Sequence, residues 1–142
     1  MKRLLFRLAR LPISSRLIGW VFTHMSFAIP VKRLRETKTL IAFHHLQQSH
    51  SFHALLVAKR SFSSLLDIPH DATDFMRDLI TTAQNLVREH HLESCGYRLI
   101  ANGGAYQDIP HLHFHLVGGA SLKAEEFVNI VEQTAEIKER IK

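Results

Sequence analysis

Histidines alternate with bulky apolar residues over residues 110–117, and this pattern constrains the fold more than any other part of the chain. Successive side chains of an extended strand point to opposite sides, so the alternation is typical of a strand that buries one face. His111, His113 and His115 are expected on one face, roughly 6.7 Å apart along the strand. The residues expected to face a core are Leu112, Phe114 and Leu116. Imidazoles exchange protons near neutral pH, so the stretch favours a catalytic or ligand-binding site, with a metal site or a polar strand surface as alternatives.

The length and composition predict a single folded domain in a reducing compartment. A chain of 142 residues is long enough to bury a core, and 46% of its residues are hydrophobic. Its one cysteine, Cys95, cannot form an internal disulfide, and no paired cysteines indicate a zinc site. We therefore expect a cytoplasmic protein.

Positive charge is concentrated at the start of the chain, where eight Lys or Arg and no acid precede Glu36. Residues 2–11 have the spacing of a short basic amphipathic helix, and Pro12 is expected to end it. No apolar run reaches the roughly 20 residues that a membrane-spanning helix needs. Nucleic-acid binding is not expected, because this segment is as apolar as it is basic and lacks Gly/Arg interleaving.

Residues 1–27 are predicted to form a basic amphipathic arm separate from the domain that follows. Residues 2–25 could make peripheral contact with a membrane surface, with Trp20 and Phe22 as interface anchors. The alternatives are an extra helix packed on the domain with its arginines solvated, or an organellar transit peptide.

The remaining chain alternates between strand and helix patterns. Strands are predicted at residues 40–43, 54–58, 97–100 and 110–117. Asp71 is predicted to cap a helix that runs to about His91. The apolar stripe of this helix consists of Phe75, Met76, Leu79, Ile80, Ala83, Leu86 and Val87. Ser121 is expected to cap a final helix, and the order of elements predicts an α+β fold with a mostly antiparallel sheet.

The stretch around the alternating histidines resembles the signature of the histidine triad (HIT) family of nucleotide hydrolases and transferases. That signature is His-φ-His-φ-His-φ-φ, with φ apolar, and residues 111–117 match it in full. Gly118 and Gly119 follow, as is often seen in the family.

Further matches occur in the family's order. Residues 41–44 and 53–60 are similar to its first strand pair, and Asn102 and Gln107 resemble the Asn and Gln that precede the triad in its HINT-like branch. The resemblance covers roughly residues 28–119, and residues 28–142 are interpreted as one HIT-like domain.

The resemblance implies a five-stranded, mostly antiparallel sheet with packed helices, a homodimer and a nucleotide-binding cleft, with no cofactor and no metal. The substrate would be a nucleotide, with a purine base, that carries a phosphoramidate, acyl-phosphate or phosphoanhydride bond at its α-phosphorus. His113 would attack this phosphorus to form a transient nucleotidyl-histidine, which water then cleaves. His111 and His115 would flank it, position the phosphate and help with protons. The substrate-binding residues implied are His53, Asn102, Gln107, Asp108, Phe43, His45 and Leu46.

The chain departs from the family pattern in three places, one of which is the Lys-Arg pair, where Ala58 and Ser61 replace the usual Pro and His. The other two departures concern the substrate. His45 stands where the family has a ribose-binding Asp, and Asp108 replaces a small hydroxyl residue that touches the α-phosphate. A carboxylate at that place repels an anionic substrate unless it points away or is neutralised. Two alternatives therefore stay open: a nucleotide-binding module without turnover, and a zinc site built on the alternating histidines and completed by His53 or Asp108.

Overall fold

The computed structural model describes residues 32–122, which form one antiparallel sheet with helices on one face. The strands are β1 (Arg33–Glu36), β2 (Leu40–His44), β3 (His50–Ala58), β4 (Tyr97–Ala101) and β5 (His113–Ser121). The helices are α1 (Thr73–Glu89) and α2 (Leu92–Cys95), with short 3-10 turns at Leu65–Asp67 and Gly104–Tyr106. The five strands lie in the order β1-β2-β3-β5-β4, and every neighbouring pair is antiparallel. The predicted five-stranded α+β fold is therefore confirmed.

Several element boundaries differ from the sequence prediction. The helix begins at Thr73 with Ala72 at its N-cap and no side-chain cap hydrogen bond, so the prediction of Asp71 as the cap is wrong. Strand β5 begins only at His113, and it continues through the glycine pair to Ser121 rather than ending there. β1 and α2 were not predicted. The arm at residues 1–27 and most of the final helix lie outside the described residues.

Helix α1 packs on one face of the sheet because its apolar side chains repeat at helical spacing. Phe75, Leu79 and Leu86 are at most 5% exposed and contact inward-facing side chains of β2, β3 and β5. Met76 and Ile80 are 40% and 45% exposed, so the predicted stripe is wider than the core it forms. Within residues 32–122, no helix is both long enough and apolar enough to cross a bilayer.

The opposite face of the sheet carries the candidate site. Ile41, Phe43 and Val57 form a second, smaller apolar cluster there, because alternate residues of each strand point away from α1. Strand β5 pairs with β3 so that Val57 lies opposite His113 and Leu55 lies opposite His115. The β3–β5 register thus places two histidines beside this apolar cluster.

A β-bulge near the end of β5 fixes that register. Phe52 pairs with Gly118 and His50 pairs with Ser121, so β5 uses one residue more than β3 between the two pairs. Gly119 lies inside the bulge with φ 73°, and a side chain there would overlap the Ser51 hydroxyl. Only glycine adopts this conformation at low cost.

Replacing Gly119 with alanine is expected to lower the free energy of unfolding by about 1–3 kcal/mol, because the left-handed backbone and the crowded methyl both cost energy. The matched control is Gly103→Ala, since Gly103 has an extended φ of −144° and open space around its Cβ position. Urea unfolding monitored by circular dichroism measures both variants. Equal unfolding midpoints for the two variants would contradict this account of the bulge.

Candidate active site

His113 is the first residue of β5, and a backbone contact determines which of its ring nitrogens carries the proton. Its Nδ1 lies 2.7 Å from the backbone oxygen of His111, and since a carbonyl can only accept, Nδ1 carries the proton. The Nε2 lone pair of a neutral His113 is therefore free to act as a nucleophile or a ligand. The side chain is half-buried on the face away from α1.

His111 is buried, with 1% of its surface exposed, and it lies just before β5. Its Nε2 donates to the backbone oxygen of Ala58 at 2.7 Å, at the end of β3. The expectation that all three histidines share one face of the strand is wrong for His111, because the strand starts two residues later. His111 ties the approach to β5 to the end of β3, and its carbonyl orients His113.

His53 and His115 form a hydrogen-bonded pair across β3 and β5, with His53 Nε2 2.9 Å from His115 Nδ1. The backbone N–H of Ser49 donates to His53 Nδ1 at 3.3 Å, which leaves the His53 proton on Nε2. His53 then donates to His115 Nδ1, so the proton of a neutral His115 is on its Nε2. The Asn102 Nδ2 lies 3.4 Å from that nitrogen, so Asn102 accepts from the ring once its amide is turned and its oxygen faces His115. The Ser49 N–H and the contact between the two rings assign the tautomer of each ring.

His45 stacks on His53, with ring centroids 4.2 Å apart and planes 5° from parallel. The reason is the β2–β3 pairing, in which His44 lies opposite Ala54, so the next position across the two strands brings His45 opposite His53. The backbone N–H of His45 donates to the His53 carbonyl at 2.9 Å and fixes this pairing. Three imidazoles from three parts of the chain therefore meet at one place.

Burial keeps these rings neutral. Desolvation is the main cause that lowers the pKa of both His53 and His115 to about 4, and neighbouring imidazoles contribute to the same shift. Desolvation also lowers the pKa of His45. Near pH 7 the cluster presents lone pairs and N–H donors rather than positive charge.

The loop between β4 and β5 carries three of the predicted substrate-binding residues, but it brings only Asn102 to the histidines. Gln107 Nε2 donates to the backbone oxygens of Ser63 at 2.6 Å and Ile109 at 3.0 Å, so this amide holds the loop itself. Asp108 is exposed next to it. Substrate contact by Gln107 and Asp108 stays a prediction.

The two predicted apolar pocket residues lie in different environments. Phe43 is 8% exposed and belongs to the apolar cluster beside the histidines. Leu46 follows His45 and is 56% exposed, so it is available to a ligand rather than part of a core.

Sequence reasoning missed the role of Ser49, whose backbone N–H and hydroxyl both lie 3.3 Å from His53 Nδ1. The signal available was weak, since a serine four residues before a histidine is common in any turn. It also misplaced the zinc alternative. Among residues 32–122, the group of three possible ligands that lie close together is His45, His53 and His115, rather than the alternating histidines.

Comparisons with known proteins agree on one family. The family profile described as the HIT domain matches residues 26–122. One curated relative is an HIT-like protein of Buchnera aphidicola, 30% identical over 96 residues, which are 66% of this chain and 86% of the relative. Another is the adenosine 5'-monophosphoramidase of Saccharomyces cerevisiae, 35% identical over 91 residues. This match covers 63% of this chain and 54% of the yeast enzyme, so the chain spans about half of that relative.

Solved structures give the same result. A histidine triad protein from Clostridium difficile is 27% identical with a TM-score of 0.65, and the match covers 75% of this chain and 91% of that protein. A HIT family hydrolase from Legionella pneumophila is 26% identical with a TM-score of 0.63, covering 71% of this chain and 92% of the hydrolase. With the sequence profile spanning the sheet, the histidines and the loops between them, the chain belongs to the HIT family.

Proposed function

We propose that this protein is a nucleotide hydrolase that cleaves a phosphoramidate, acyl-phosphate or phosphoanhydride bond at the α-phosphorus, with His113 as the nucleophile. The observation that carries the proposal is the hydrogen bond from His113 Nδ1 to the His111 carbonyl, which leaves the Nε2 lone pair free. Membership of the HIT family and similarity to an adenosine 5'-monophosphoramidase support the same chemistry.

The reaction proceeds in two displacements on phosphorus. The Nε2 lone pair of His113 forms a bond to the α-phosphorus while the bond to the leaving nitrogen or oxygen breaks, and the leaving group takes that electron pair and a proton. The imidazolium that forms keeps its Nδ1–H bonded to the His111 carbonyl. Water then attacks the same phosphorus, gives up a proton and releases the nucleoside monophosphate, which restores neutral His113.

We assign the proton of the leaving group to His115, whose ring centroid lies 5.1 Å from that of His113. In the free protein His115 has no readily lost proton at pH 7, because its pKa of about 4 leaves the ring neutral. A phosphate anion beside the ring raises the pKa of His115 by favouring its charged form, so that the ring takes up a proton from solvent and can give it to the leaving group. The substrate itself would therefore bring the proton donor into its working range.

A nucleotide-binding module without turnover is the second candidate function. The observation that favours it is His45, which occupies the position of the family's ribose-binding Asp and stacks on His53 instead of presenting a carboxylate. In that case nucleotides would bind without any product being released.

His113→Ala is expected to reduce kcat by roughly 10⁴-fold or more with an adenosine phosphoramidate substrate, since no other group can form the covalent intermediate. His115→Ala and His111→Ala should retain more activity, because proton transfer and positioning contribute about 10²- to 10⁴-fold. Release of the leaving amine measures turnover. The control is His70→Ala, which removes an exposed histidine in the turn before α1.

Circular dichroism of each variant checks that the fold is retained. More residual activity in His113→Ala than in His111→Ala would show that the middle histidine is not the nucleophile.

The depressed pKa values give a pH dependence of known sign. A histidine with a pKa of about 4 in the folded state and about 6.5 when unfolded binds fewer protons in the folded state between these limits. Its contribution to stability is complete above about pH 6.5 and is lost as the pH falls toward 4. NMR titration of the imidazole carbons should therefore give midpoints near 4 for His53 and His115. Midpoints near 6.5 for both would remove the basis for a neutral pair.

We also propose that the protein is a homodimer that pairs through β4. This strand is the last in the described sheet order and has a neighbour on one side only. Tyr97 and Leu99 on β4 are 55% and 36% exposed, and Ile80 on α1 is 45% exposed beside them in one shallow groove. An unpaired strand edge next to apolar side chains is a surface that a two-fold partner can cover.

Leu99→Glu and Ile80→Glu are expected to shift the protein from dimer to monomer, because each places an unpaired charge in the buried contact. The matched control is Leu66→Glu, since Leu66 is 92% exposed and lies in the 3-10 turn at Leu65–Asp67. Sedimentation equilibrium at micromolar protein gives the mass of each variant. A monomeric mass for the unmodified protein would contradict the dimer.

A further inference from the structure

We propose that His45, His53 and His115 form a binding site for a divalent transition metal, best suited to Zn²⁺. One ring nitrogen from each lies within 4.8 Å of the other two. The residues come from the loop after β2, from β3 and from β5, so the fold and not a local repeat brings them together. Three histidine nitrogens with a fourth position left open form a ligand set that zinc accepts.

The β3–β5 pair already has nearly the required spacing. His53 Nε2 and His115 Nδ1 are 2.9 Å apart and share a proton. Two nitrogens on a tetrahedral Zn²⁺ with bonds of 2.0–2.1 Å are about 3.3 Å apart. Replacing the proton between them with the metal therefore requires the two nitrogens to separate by about 0.4 Å and both rings to turn so that their lone pairs meet at the ion.

In both His53 and His115, the ring nitrogen that would not bind the metal also has a polar neighbour. A metal-bound histidine donates its other N–H to a neighbouring acceptor, which fixes the ring. Metal binding through Nε2 moves the His53 proton to Nδ1, which gives up the Ser49 N–H contact and can donate to the Ser49 hydroxyl at 3.3 Å instead. The Asn102 Nδ2 lies 3.4 Å from His115 Nε2, so this amide has to turn over before its oxygen can accept from the ring.

His45 has to move for the site to close. Its ring is parallel to that of His53, so the lone pairs of the two rings do not converge until His45 tilts. Its Nδ1 accepts from the Gln47 backbone N–H at 3.0 Å, which leaves Nε2 as the nitrogen for the metal. Binding through Nε2 moves the proton to Nδ1 and breaks that contact. His45 follows the end of β2, so its side chain can tilt while the backbone bond to His53 holds its position.

The site differs from a zinc site on the alternating histidines. His111 Nε2 is bonded to the Ala58 carbonyl and His113 Nδ1 to the His111 carbonyl. His113 is not a ligand in the proposed set, so its loss should leave metal binding intact. The two arrangements therefore predict different effects of His113→Ala: zinc binding is retained with the proposed ligand set and lost with the alternating histidines.

The test is isothermal titration of Zn²⁺ into untagged full-length protein that has first been stripped with a chelator. We expect one zinc per chain, and a Co²⁺-loaded sample should show the intense visible absorption of tetrahedral coordination. His45→Ala and His53→Ala should each weaken binding by at least about tenfold, since loss of even an outer partner of a metal ligand costs about 10- to 100-fold. His113→Ala, and His70→Ala at an exposed turn before α1, should bind zinc with the affinity of the unmodified protein.

Circular dichroism shows whether His53→Ala still folds, and the half-buried His45 provides a second variant that leaves the core untouched. Zinc binding that survives both His45→Ala and His53→Ala, or stripped protein that takes up no zinc, overturns the proposal. A loss of binding in His113→Ala comparable to that in His45→Ala would indicate the alternating histidines instead. These readouts involve no turnover, so the metal site is tested separately from the hydrolase function.

Discussion

The antiparallel pairing of β3 with β5 is the constraint on which the candidate site depends. It sets Leu55 opposite His115 and Val57 opposite His113, while Leu56 and Phe114 face α1 on the other side. A slip of one residue would exchange the two faces and bury the histidines in the apolar core. The bulge at Gly119 and the packing of α1 therefore act on function indirectly, by holding this one register.

Backbone carbonyls and amides determine which nitrogen of His113 and of His53 carries the proton, and so which nitrogen is available to react. The His111 carbonyl fixes the proton of His113, and the Ser49 N–H fixes that of His53. His53 in turn determines which nitrogen of His115 carries a proton. A neutral imidazole exchanges between two tautomers in water. Because these backbone contacts select one tautomer before the substrate binds, the free energy of selecting it does not add to the reaction barrier.

The sequence predicted the strand pattern and the histidines well because alternation directly encodes which side chain faces the core. It could not show that His111 is buried, since its position depends on where β3 ends and not on the alternation itself. The meeting of His45 with His53 and His115 was also hidden, because it requires the β2–β3 and β3–β5 registers together. The predicted apolar stripe of α1 was also too broad. Met76 and Ile80 have the helical spacing of core residues, but they are exposed.

The central claim is that His113 forms a covalent bond to the α-phosphorus of a nucleotide. Mass spectrometry of full-length protein, quenched with alkaline denaturant soon after mixing with an adenosine phosphoramidate, tests it most directly, provided that fragmentation of the peptide containing residues 112–117 separates His113 from His115. The account predicts a transient adenylyl adduct on His113 that disappears as adenosine monophosphate accumulates. Product formation with no adduct at any time, or an adduct on His115 or His53, would contradict it.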